Sequence, residues 1–142
     1  MTRERWLRVG LLYEAGAFAL VGFWAAFAPL SFFTDFPGGG RHWVSIDGPY
    51  NQHLVRDVGE LSLALAAVAL AAAITVSIPL VRAALVAVIV NGVLHLVYHS
   101  RHLDLFSSNE GAAVIVSLGL APLIAVVLLF MTRRPAQDPA PA

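Results

Sequence analysis

Cysteine is absent from the 142 residues, which excludes disulfides, thiolate metal ligands, iron–sulfur clusters and cysteine nucleophiles. Any metal held by this chain must be held by His, Asp or Glu. Lysine is absent too: all nine basic residues are arginine, in keeping with a composition rich in Ala, Arg, Val and Gly. Charge of either sign is scarce. Only 13% of residues are charged and 58% are hydrophobic, whereas a soluble domain carries roughly 25% charged residues. With a mean hydropathy of +0.76, the surface must face something other than water. Nine acidic residues balance the nine arginines, so no net positive field marks a nucleic-acid partner. The length allows one domain at most.

What is present is a set of long apolar runs. A bilayer core asks for about 20 apolar residues per helix. The first candidate span covers roughly Leu7 to Ala28 and ends at Pro29. The second begins near Pro49 and continues to Ser77, closed by Pro79; the third follows Pro79 and reaches about Leu105. The fourth covers Gly111 to Met131, with Ser107 and Glu110 forming an S-x-x-E capping box in front of it. The expected fold is all-α: a four-transmembrane-helix bundle over residues 1–132, followed by a disordered cytoplasmic tail over 133–142, rich in Pro and Ala. A long loop, Pro29 to Gly48, is expected between the first and second spans, carrying four aromatics and Gly38-Gly39-Gly40. The glycines do not form a phosphate loop, because no strand precedes them and no Gly-Lys-Ser/Thr follows. Arg3, Arg5 and Arg8 before an apolar run, with Ala26-Phe27-Ala28 after it, look like a secretory signal. The length of the run, Glu14 within it and Pro29 after it favour a retained first span.

Arginine placement sets the expected orientation. Arg3, Arg5, Arg8, Arg82, Arg133 and Arg134 fall on one side, against Arg41, Arg56 and Arg101 on the other. Six against three favours both termini in the cytoplasm, with the long loop outside; the expected location is the inner (plasma) membrane, multi-pass. Trp6, Trp24 and Trp43, near helix ends, fit interfacial anchors.

Two polar stripes share one spacing. His53, Asp57 and Glu60 fall at i, i+4 and i+7, and so do His95, His99 and His102. On a helix each trio occupies one face. The Pro79 link makes the second and third spans an antiparallel hairpin, so both trios should lie at the same membrane depth. Below Glu60 the face continues as Ala64, Ala67 and Ala71, small residues that would admit a close neighbour. Asn91 and Gly92 extend the histidine stripe inward, Tyr98 flanks it, and Arg56 and Arg101 stand level with Asp57, Glu60 and Asp104. Glu14 is isolated on the first span; Arg82, Arg8 or Asn91 is its expected partner. His42 and Asp47 lie in the loop, within reach of covering the site or facing solvent.

Three chemistries suit the six residues: a divalent transition metal held by imidazoles and carboxylates, a haem with histidine axial ligands, and proton or quinone chemistry at the bilayer edge. The expected function is a metal- or haem-binding, redox-associated site on the extracytoplasmic side; the alternative is a packing network of histidine–carboxylate pairs that locks the helices together, in a non-enzymatic accessory or scaffold protein. The expected partners are the lipid bilayer and other membrane proteins or further copies of the chain.

The series His95-x3-His99-x2-His102 resembles the histidine boxes of membrane desaturases and hydroxylases only locally, since this chain has five histidines in all. The four spans, the long first loop and the runs Phe32 to Gly38 and Gly48 to Asp57 are similar to small four-helix, loosely DoxX-like membrane proteins of actinobacterial type. That resemblance covers all four spans and rests on architecture. It implies membrane redox partners in some relatives and carries over no functional residue.

Overall fold

The structure, a computed structural model, describes residues 2–133. Helix α1 spans Arg3–Phe27, α2 Pro29–Asp35, α3 Gln52–Thr75, α4 Ile78–Ser100 and α5 Ser108–Met131. Helices α1, α3, α4 and α5 are each long and apolar enough to cross a membrane. The expected tail lies outside the described residues, apart from Arg133.

The termini of these helices follow local chemistry. The Thr2 hydroxyl accepts from Arg5 N at the start of α1, and the Asn51 side chain accepts from His53 N and Leu54 N at the start of α3. Each satisfies backbone donors that a first turn leaves unpaired. The capping box forms as expected: Ser107 Oγ accepts from Glu110 N at 3.4 Å and donates to Glu110 Oε2 at 2.9 Å. Helix α3 stops at Val76, whose φ of 48° turns the chain left-handed, and Pro79 enters the first turn of α4, where its missing N–H costs nothing.

The expected long loop between the first two spans is not found. Helix α1 passes through Ala28 alone into α2, because Pro29 at its first position is preset for helix. The Ser31 hydroxyl donates to Asp35 Oδ2 one turn on, at 3.0 Å. Beyond α2, strands β1 (Pro37–Gly38) and β2 (Arg41–His42) pair antiparallel. Gly39 and Gly40 turn between them at φ 67° and 77°, as a two-residue hairpin of the I′ class needs. A 3-10 turn, Ser45–Asp47, completes the segment. Its aromatics pack inward: Trp24, Phe32, Phe36 and Trp43 form a chain of rings with centroids 4.8–6.5 Å apart. Trp24 is half-buried there, not a free interfacial anchor, and its Nε1 donates to Ser31 Oγ.

Helix pairing differs from a simple hairpin. Helices α3 and α4 run antiparallel across Val76-Ser77, but α3 lies mainly along α1, and α4 along α5. The α1–α3 seam is built from small residues: Gly22, Ala25 and Ala26 on one side, Gly59, Ser62, Ala66 and Ala69 on the other, all buried. Such rows let backbones approach closely, the main source of helix affinity where lipid removes the hydrophobic drive. A Cβ placed on Gly59 would stand 2.4 Å from Ala26 N, and one on Gly22 2.9 Å from Leu63 N. On the other pair, Gly92 admits the ring of Pro122. A second core, Leu7, Leu11, Ala72, Val81, Leu85, Val88, Ala125 and Leu128, fills the half of the bundle near the N-terminus.

Candidate functional site

Choosing the Gly59–Ser62–Ala66 row as the contact of α3 decides where its polar stripe goes. Glu60, Ala64, Ala67 and Ala71 are exposed, and so is His53; the expected close-packing row is the outward one. His53 Nε2 lies 3.5 Å from Asp57 Oδ2, with side chains 83% and 42% exposed. An exposed pair of this kind contributes little to stability.

On α4 His95 and His99 fall on the same helical face as the buried Val81, Leu85, Val88 and Gly92, with His95 exposed and His99 half-buried. His95 and His99, one turn apart, bring their Nε2 atoms to 3.0 Å. That contact requires one imidazole to donate and the other to accept. Helix α4 ends at Ser100, so His102 is not on it, as the spacing had implied. It sits in the following turn, where its Nδ1 donates to Tyr98 O at 2.8 Å and its ring stacks on Tyr98 at 4.3 Å. The phenol of Tyr98 donates to Asp47 Oδ1 at 3.1 Å, which ties the 3-10 turn before α3 to the end of α4. His99 Nδ1 is buried without a hydrogen-bond partner.

Of the six residues, His53 pairs with Asp57 and His95 with His99, while His102 engages Tyr98 and Glu60 stands exposed. Among the described residues no hydrogen bond or ion pair joins His53, Asp57 or Glu60 to His95, His99 or His102. Nor is any group of three or more His, Asp or Glu side chains placed to hold a metal ion, again among the described residues. Neither Arg56 nor Arg101 forms an ion pair with Asp57, Glu60 or Asp104. Sequence spacing missed the Asp47–Tyr98 bond. Fifty-one residues separate the two partners, and no local pattern marks it.

Glu14 is the other surprise. It is 0% exposed, on the Leu7–Leu11 face of α1, and neither carboxyl oxygen has a hydrogen-bond partner. The expected partners are engaged elsewhere or turned away. Arg82 donates from Nε to Thr132 Oγ1 and from Nη2 to Thr132 O, each at 2.9 Å. Arg8 pairs with Glu4 at 3.0 Å, and Asn91 is exposed.

No protein-family model, curated protein or solved structure matches this chain.

Proposed function

We propose that this chain is a non-enzymatic accessory protein of the plasma membrane, and that the polar residues at its histidine end serve packing. One observation carries this reading. The polar side chains there engage neighbours pairwise, as His53–Asp57, His95–His99, His102–Tyr98 and Tyr98–Asp47, and do not converge on a shared point. The Asp47–Tyr98 bond is the only one of these between distant segments, so it holds the folded segment after α2 against the bundle. Both termini face the cytoplasm on the six-to-three arginine asymmetry, which a reporter fused after Ala142 reads directly. Other membrane proteins are the partners this role implies.

The test is a double-mutant cycle. Tyr98→Phe and Asp47→Ala should each lower the unfolding midpoint in detergent, by a small and similar amount, since both partners are exposed. The double variant should lose little more than either single one. Additive losses would show that the pair does not fasten the segment.

One geometric fact favours a second reading, metal binding on two histidines. Imidazole nitrogens on one tetrahedral zinc-like ion at about 2.0–2.1 Å stand roughly 3.3 Å apart, and the His95–His99 separation is 3.0 Å. The same distance suits a shared proton. Two imidazoles supply only half of a tetrahedral ligand set, and among the described residues no third His, Asp or Glu is placed to complete it, so packing is the better-supported role.

A further inference from the structure

At the end of the bundle opposite the histidines, two arginines and the first turn of α4 meet at one opening, beside the C-terminal turn of α5. A cavity of about 460 Å³ is lined by Arg3, Ile78, Pro79, Arg82 and Thr132. It adjoins a smaller one of about 330 Å³ that shares Arg3 and Ile78. Volumes of this size are in the range of small-ligand sites.

Both guanidinium groups are held in place from behind. Arg82 spends two donors on the Thr132 hydroxyl and carbonyl, and Arg3 spends Nε on the Met131 carbonyl. These acceptors belong to the C-terminal turn of α5, where exposed carbonyls attract cations. Each arginine has five N–H donors, so most remain available at the cavity. Tethering fixes the side chains before any ligand arrives, which lowers the ordering cost of binding.

The third component is the start of α4. Ser77 makes no side-chain capping bond there, and the first helical hydrogen bond recorded is from Val81 N to Ser77 O. The N–H groups of Ile78 and Leu80 thus have no helical acceptor, and the positive end of a 23-residue helix points at the Arg3–Arg82 opening. The one acidic residue lining these cavities, Glu4, is already paired with Arg8.

We propose that this opening binds a phosphate group. The level of the site, at the ends of α1, α4 and α5, is the headgroup level of a bilayer, and basic pockets between membrane helices take anionic headgroups. A phosphate there would bridge Arg3 and Arg82 with charge-assisted bonds and accept from the first turn of α4.

The experiment uses the full chain in nanodiscs made with phosphatidylcholine and increasing phosphatidylglycerol. Native mass spectrometry reads retained lipid, and inorganic phosphate is titrated in a parallel series. Phosphatidylglycerol should be retained in preference to phosphatidylcholine. Arg82→Gln and Arg3→Gln should each weaken retention about tenfold or more, while Arg5→Gln, an equal charge loss outside the cavity lining, should leave it unchanged. Arg3→Gln keeps the test valid if loss of the Arg82 tether prevents folding. Saturable phosphate binding with the same variant pattern and no lipid preference would identify free phosphate as the source. No preference and no phosphate binding would overturn the proposal, as would equal weakening by Arg5→Gln.

Discussion

Gly59→Val should leave little folded protein. The Cβ it adds would meet Ala26 N at 2.4 Å and Ala25 C and Ala26 Cα at 2.9 Å, and all three are backbone atoms that no rotamer change can move. Relief therefore requires α1 and α3 to separate along the seam that Gly22, Ala25, Ala26, Ser62 and Ala66 close. Overpacking costs typically about 1–3 kcal/mol, more when the backbone must shift, so a loss of about 3 kcal/mol or more is expected here. Unfolding in mixed detergent micelles, followed by circular dichroism, measures it. Gly16→Ala and Gly119→Ala are matched controls, since an added Cβ meets nothing within 4 Å at either site. Both should be neutral or stabilising by about 0.5–1 kcal/mol through helix propensity. Normal stability of Gly59→Val would mean that α1 and α3 do not touch here.

Replacing Glu14 with leucine should instead stabilise the chain, by about 1–3 kcal/mol, the cost of leaving a buried polar group unsatisfied. Both oxygens of Glu14 lack partners inside the bundle. The stretches of α3 from Leu61 to Thr75, of α4 from Ala83 to Leu94 and of α5 from Gly111 to Met131 contain no titratable side chain. Its own helix offers Tyr13 next to it, with an exposed ring. Removing a carboxyl that nothing receives should be a gain, and the same unfolding assay reads it. A marked loss of stability in Glu14→Leu would reveal a partner for the carboxylate. A stabilised variant that no longer supports the chain's role in cells would show that Glu14 is retained for activity at the expense of stability.

The four spans were legible because their signals are local. Apolar length, Pro79 and the Ser107–Glu110 box set the number of long helices, and their ends to within about five residues. What the sequence left open is which face meets which neighbour. Helix α3 carries two rows of small residues, Ala64–Ala67–Ala71 and Gly59–Ser62–Ala66, and periodicity alone does not rank them. The second row wins because α1 presents Gly22, Ala25 and Ala26 to it. That choice turns Glu60 outward and separates the two polar stripes. His102 was misplaced for another reason: the apolar run continues past it, whereas the helix ends at Ser100 and the Arg101 N–H bonds back to Tyr98 and His99 carbonyls. The segment after Pro29 reads as a loop because its glycines and polar residues hide a seven-residue helix and a two-stranded hairpin. Its clasp to α4, Asp47 to Tyr98, is purely tertiary.

The central claim, that the histidine end is a packing network and not a cofactor site, is tested most directly by elemental analysis and an absorption spectrum. The sample is the full chain, purified from its own membranes without chelator or metal-affinity steps. The account predicts no stoichiometric transition metal and no Soret band, with the His95→Ala and His99→Ala proteins indistinguishable from the parent in metal content. One bound metal ion or haem per chain, lost in those two variants and retained in Glu14→Gln, would contradict it.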